Sequence, residues 1–148
     1  MILTFDVHGV PAPKGSLKHV GNGRLVEQLK ASGPWMTRVR AVALEAAYAR
    51  GWTHDGGGVR VEVEFVLPRP KTVRRTLPIT RRADLDKLCR AVLDALTDVP
   101  AHPARGKAGK PGLLTDDSTV VDLVATKRYP SGPTQFVGAR ITLKDVTR

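Results

Sequence analysis

Asp84, Asp86, Arg90 and Asp117 are the side chains whose types and spacing permit chemistry beyond packing. Asp84-Leu85-Asp86 leads into Leu85, Leu88, Cys89, Val92, Leu93 and Leu96, the i, i+3, i+4, i+7, i+8, i+11 stripe of an amphipathic helix. Inside a helix, residues two apart diverge by about 200°; on an extended approach they share one face. An extended Asp-Leu-Asp opening a helix therefore aims two hard oxygen ligands at one point. Arg90, one turn on from Asp86, sets a fixed cation beside it. Asp116 and Asp117 form a second acidic pair, at the start of the β-branched run 119–129. Clustered carboxylates repel one another unless a cation lies between them, and hard oxygens select Mg²⁺ or Mn²⁺. Such an ion polarises a phosphoryl oxygen and lowers the pKa of an attacking water. Two ions about 3.5–4 Å apart support both attacking and leaving oxygens. Arg90 would meet the charge that builds in the transition state. The chemistry is metal-dependent phosphodiester hydrolysis, with Asp84, Asp86, Asp117 and Arg90 catalytic, the same three acids as metal ligands, and Asp116 beside them. The alternative on residue types alone is a non-catalytic DNA-binding domain whose acids cap helices and form turns.

The surroundings of these acids are strongly basic. Pro68 to Arg82 carries Arg69, Lys71, Arg74, Arg75, Arg81 and Arg82 without one acid, and Pro68, Pro70 and Pro78 deny it regular structure. It reads as a basic loop that delivers phosphate contacts to the doorstep of Asp84. Over the chain, 24 Lys+Arg stand against 14 Asp+Glu, a formal net charge of +10. That excess implies a polyanionic partner, nucleic acid first and an anionic membrane second. No apolar run approaches the roughly 20 residues of a membrane span, and no basic amphipathic helix stands out. Residues 1–7 read as a strand rather than a signal peptide, so a cytoplasmic protein is expected. The single cysteine, Cys89, sits at a helix core position and reads as a buried, inert thiol. His8, His19, His54 and His102 lack ligand spacing, and no G-x-x-x-x-G-K-[ST] supports nucleotide hydrolysis.

The elements that must position the acids follow from periodicity. Leu3, Phe5 and Val7 mark a first strand over 2–7. Residues 8–33 carry seven Gly and Pro and read as a long loop with Lys14 and Lys18 as phosphate contacts. Pro34 opens a helix that runs to Arg50, burying Trp35, Val39, Val42, Ala43 and Ala46, and Gly51 ends it. Its Arg38, Arg40 and Arg50 face either solvent or a phosphate. Val59 to Leu67 alternates cleanly as a strand. Residues 98–113 read as a mobile Gly/Pro/Lys loop with Arg105, Lys107 and Lys110 as further phosphate contacts. Two further strands, 119–129 and 135–144, are expected to pair as a terminal hairpin. The sum is one α/β domain over 1–148: a small mixed sheet of about four strands, two main helices, and basic loops at about 8–33, 68–83 and 98–113.

At Asp84-Leu85-Asp86-Lys87-Leu88, at Ala91-Val92-Leu93-Asp94-Ala95-Leu96 and at Asp116-Asp117-Ser118-Thr119-Val120-Val121, the sequence resembles the RusA family. These are Holliday-junction resolvases of phages and prophages. Weaker likeness extends to Pro13-Lys14-Gly15-Ser16, the strand at 59–67 and the basic segment before Asp84. The resemblance implies a homodimer of mixed α/β subunits that nicks opposing strands of four-way DNA junctions in Mg²⁺, in the host cytoplasm if phage-encoded. The family's essential acids fall on Asp84, Asp86 and Asp117, and its catalytic lysine on Arg90. Arginine keeps the charge but donates no proton at neutral pH. Lys87 lies about 100° away per residue step and is a poor substitute for that lysine, though it can contact DNA. The second departure is the long 98–113 loop. Beside resolution stand two other expectations: a binder without catalysis, and a general flap or single-strand nuclease.

Overall fold

Leu3, Phe5 and Val7 alternate with Ile2, Thr4 and Asp6, and the same period of two recurs at 59–66 and 138–145. Alternation of this kind builds a sheet with one buried face. The computed structural model describes residues 1–15, 17–19, 21–22, 25–27, 31–73, 80, 83–133 and 135–146, with the backbone alone at 17–19 and 25–27. In chain order the elements are β1 (Ile2–His8), β2 (Leu17–His19), β3 (Leu25–Glu27), α1 (Ser32–Arg50), β4 (Val59–Val66), α2 (Leu85–Leu96), β5 (Val120–Arg128) and β6 (Gly138–Asp145). A four-stranded mixed sheet carries both helices on its apolar face, the α/β architecture that the periodicity predicts.

The sheet order is β1-β6-β4-β5. β6 runs antiparallel to β1 and β4, and β5 runs parallel to β4. The terminal hairpin expected of β5 and β6 does not form, because β4 lies between them. A parallel pair needs a crossover, and α2 supplies it, placing β5 on the outer side of β4. The nine-residue connection 129–137 then carries the chain past β4 to the gap beside β1. Gly138 makes this docking possible: its φ is +156°, and a Cβ there would lie 1.9 Å from the carbonyl oxygen of Val7.

Leu3, Val7, Val59, Val61, Phe65, Ala139, Ile141 and Leu143 are fully or nearly fully buried beneath the helices. The opposite face is polar and cross-linked. Thr4 and Thr142 hydroxyls meet at 3.0 Å. Arg140 grips Asp6 with two hydrogen bonds, Arg60 pairs with Asp122 and Glu62, and Arg128 with Glu64.

α1 begins near the predicted Pro34 and ends at Gly51, whose φ of +62° lets its amide reach the carbonyls of Ala47 and Tyr48. Trp35, Val39, Ala43 and Ala47 are buried; Val42 and Ala46, expected inside, are only partly so. Arg38 and Arg50 are exposed and Arg40 is partly buried, and each also reaches a carbonyl of a neighbouring segment. Arg38 donates to His8 O, Arg50 to Thr4 O, and Arg40 to the carbonyls of Asp94, Thr97 and Pro111.

Two expected loops contain more structure than their composition suggests. Within 8–33, β2 and β3 pair as a short hairpin beside Gly21 and Asn22, both at positive φ. Within 98–113, Val99 and Lys110 exchange two 2.8 Å backbone hydrogen bonds, and His102 and Lys107 pair above them. A 3-10 turn, Pro103–Arg105, closes the tip at Gly106. That segment is a paired finger rather than an open loop.

Candidate active site

Burial of Leu88, Cys89, Ala91, Val92, Ala95 and Leu96 fixes the rotation of α2 about its axis. Asp86, Arg90 and Asp94, at i, i+4 and i+8, consequently share its outward edge. With Asp117 they line a cleft of about 730 Å³, whose apolar lining is Leu85, Cys89, Leu93, Leu123 and Ala125.

The approach to α2 is extended, as the Asp-Leu-Asp reading requires. Asp84 has φ −67° and ψ 133°, and its carbonyl accepts the amide of Leu88 at 3.0 Å. The carbonyl just before it, on Ala83, accepts Lys127 Nζ of β5 at 2.9 Å. That bond ties the start of α2 to the strand that follows Asp117. The Asp84 side chain caps nothing; it is 62% exposed and stands 3.7 Å from Lys87 Nζ. It does not line the cleft.

Across the cleft, Asp117 opens a 3-10 turn (Asp117–Thr119) capped by Asp116. Asp116 Oδ1 accepts the Ser118 amide at 2.8 Å, and the Asp116 carbonyl accepts the Thr119 hydroxyl at 2.7 Å. Hydrogen bonds from Ser118 hold the Asp116 carboxyl below the usual carboxylate range, with a smaller contribution from the Asp117 side chain. The two acids diverge. Asp117 faces the first cleft, while Asp116 lines a second one, of about 590 Å³, with Asp98, Val99, Lys110 and Thr115 among its other walls.

The structure thus brings Asp86, Arg90 and Asp117 to one cleft and leaves Asp84 and Asp116 outside it. Among the described residues, no three His, Cys, Asp or Glu side chains stand close enough together to hold a metal ion. The donor chemistry nevertheless fits Mg²⁺, which takes one or two carboxylates and completes its shell with water and substrate phosphate. Asp86 and Asp117 would supply those oxygens. The exposed Asp84–Lys87 contact is worth only a few tenths of a kcal/mol, up to about 1, so a turn of Asp84 toward Asp86 costs little.

The cations divide into engaged and unengaged groups. Arg90 is exposed and has no hydrogen-bond or ion-pair partner among the described residues. Lys14 donates through Nζ to Asp94 Oδ2 at 2.5 Å and through its backbone amide to Lys87 O at 3.1 Å, which docks the first loop on α2. Arg69 donates to Pro130 O at 2.8 Å and lies 5.7 Å from the centre of the Tyr129 ring. Lys71 is exposed, and Lys87 faces Asp84. The side chain of Lys18 and the whole of Arg74, Arg75, Arg81 and Arg82 lie outside the described residues.

Two participants escaped the sequence reading. Asp94 was legible as the next member of the Asp86–Arg90 edge, whereas nothing local marks Lys127 as the anchor for Ala83. Cys89 is 4% exposed, and burial, with the Asp86 carboxylate nearby, pushes its thiol above the ordinary range. It stays protonated, consistent with an inert core thiol. His8 packs on Phe136 with the rings tilted and their centres 4.6 Å apart, and His54 Nε2 meets Gly57 O at 2.8 Å; neither lines the cleft.

No model of a known protein family matches the chain, and no curated protein matches it. No described helix is long and apolar enough to cross a membrane.

Proposed function

We propose that this chain is a Mg²⁺-dependent endodeoxyribonuclease of the RusA type, a cytoplasmic homodimer that resolves four-way DNA junctions by paired nicks. The observation that carries this reading is that Asp86 and Asp117 line one cleft with Arg90, which is unpaired among the described residues, in a chain of net charge +10. Asp86 and Asp117 would hold the ion, and Asp84 would join them on leaving its exposed contact with Lys87. The bound metal supplies a polarised phosphoryl oxygen and a more acidic water. Arg90 binds a non-bridging oxygen and stabilises charge there; a guanidinium stays protonated, so it takes no part in proton transfer. A junction with approximate two-fold symmetry calls for two such clefts related by a matching axis.

Incubation with a mobile four-way junction in Mg²⁺ should give symmetric nicks on opposing strands. Asp86→Asn should slow cleavage by at least about 100-fold, since even second-sphere partners of a metal cost 10- to 100-fold, while junction binding in EDTA persists. An absence of nicks in Mg²⁺ or Mn²⁺ on several junction sequences would sink the proposal. Equal cutting of flaps and linear duplex would instead indicate a general nuclease. A reading as a binder without catalysis has support of its own. Asp84 faces Lys87 rather than the cleft, and an arginine stands where the family carries lysine. It predicts tight binding indifferent to chelator, and no nicks.

A further inference from the structure

The finger at 97–114 is rooted in the core by Leu114 at its base; beyond that base it buries nothing, yet it is built to hold its shape. Residues 98–111 are all exposed. Both roots are fixed: Leu113 and Leu114 donate to Leu96 O, Asp98 Oδ1 accepts the Gly112 amide at 2.6 Å, and Arg40 holds Thr97 O and Pro111 O. Two glycines allow the arms to close. A Cβ on Gly112 would fall 2.5 Å from Leu96 O, and one on Gly109 would fall 2.8 Å from Val99 O. Core packing does not require the rigidity of the arms, because residues 98–111 contribute no core side chain.

What the finger carries is charge. Arg105, Lys107 and Lys110 lie within six residues, no acid occurs from Val99 to Thr115, and none of the three cations has an ion pair or side-chain hydrogen bond among the described residues. Three like charges repel one another and gain from a polyanion that neutralises them together. Its place in the fold says which polyanion. One root leaves the end of α2 three residues beyond Asp94, and the other returns three residues before Asp117. Lys110 and Asp116 both line the second cleft, and Asp116 is the chain neighbour of Asp117 in the first. From root to tip the arm 97–102 spans roughly 17 Å at the rise of extended chain.

We propose that this finger is a second DNA-binding element, gripping the phosphates of a duplex arm that leaves the carboxylate cleft, and that it adds to binding without adding to the chemical step. The proposal rests on the nuclease reading for the identity of the polyanion. Its contacts are to backbone phosphates, which position DNA without reading sequence.

The test compares wild type with the triple variant Arg105→Ala/Lys107→Ala/Lys110→Ala, binding a synthetic four-way junction in EDTA over a range of salt. Loss of three phosphate contacts should flatten the slope of log affinity against log salt by about 2–3, and lower affinity roughly ten- to a hundredfold near physiological salt. Arg105→Lys/Lys107→Arg/Lys110→Arg should restore both. An unchanged slope and affinity would overturn the proposal, and junction cleavage by that same variant would leave the nuclease reading standing. A flattened slope with no cleavage by wild type would keep the finger and remove the nuclease. Wild-type binding to phosphatidylserine vesicles but not to DNA would overturn both.

Discussion

α1 and α2 pack on the same sheet and use arginine in opposite ways. α1 has no acid in its first turn, and Arg38, Arg40 and Arg50 all turn back to carbonyl oxygens of neighbouring segments. α2 is shorter, with a narrow apolar stripe, and its Arg90 meets nothing described. The two helices are also dependent on each other. α2 has no basic residue in its last turn, and the donors its C-terminal carbonyls need come from elsewhere: the Thr97 hydroxyl for Leu93 O, the Leu113 and Leu114 amides for Leu96 O, and Arg40 of α1 for Asp94 O and Thr97 O. A count of basic residues therefore overstates the surface offered to a ligand. Arginines satisfied by carbonyls are mortar, and Arg90, without such a partner among the described residues, lines the cleft.

The sharpest way to break this contrast is at Arg90. Arg90→Ala should lower the cleavage rate by about 10²–10³-fold, the scale of losing one preorganised donor to transition-state charge, with an unchanged melting temperature. Arg90→Lys should recover most of the rate; single-turnover kinetics read both. Arg40→Ala should do the reverse. It removes three hydrogen bonds from a partly buried cation and should cost about 2–3 kcal/mol, seen as a melting point lower by roughly 5–10 °C. Its rate per folded molecule should change little. The smallest effect belongs to the polar face of the sheet. Hydrogen bonding to Arg140 holds the Asp6 carboxyl below its ordinary value of 3.8. A depressed pKa contributes stability above pH 3.8 that is lost as pH falls through the lowered value. Asp6→Asn should therefore cost less than about 1 kcal/mol near neutrality and flatten the acid limb of stability against pH. An acid limb identical to wild type would count against the pair.

Most elements were legible because their periods are strict. β1, β4, β6 and α2 lie within a residue or two or three of the expected bounds, since burial on one face leaves a repeat of two or of 3.6. Strand pairing was not legible. β5 and β6 are neighbours in sequence and invite a hairpin, but pairing is decided by the α2 crossover, which no window on 119–144 contains. The β2–β3 hairpin was hidden by its three-residue strands, although Asn22-Gly23 is a recognised hairpin turn signal. The 98–113 finger is held by a few backbone pairs and two close glycine approaches, neither of which leaves a periodic trace. At the cleft, the extended approach and helical spacing placed Asp86 and Arg90 correctly, and Asp117 meets them through the β4–α2–β5 path. The side-chain direction of Asp84, toward Lys87 rather than the cleft, depends on a rotamer, and spacing says nothing about rotamers.

The position of β6 has a consequence for how the molecule is made. It is the last strand in sequence, yet it sits inside the sheet, between β1 and β4. On the ribosome, β4, α2 and β5 can associate as they emerge, but β1 waits without a neighbour until residues 138–145 arrive. Contacts so distant in sequence form slowly, and unpaired edges meanwhile invite association with other chains. The sheet behind the cleft therefore closes only once residues 138–145 have been made, and a chain terminated before them leaves β1 and β4 with an open seam between them.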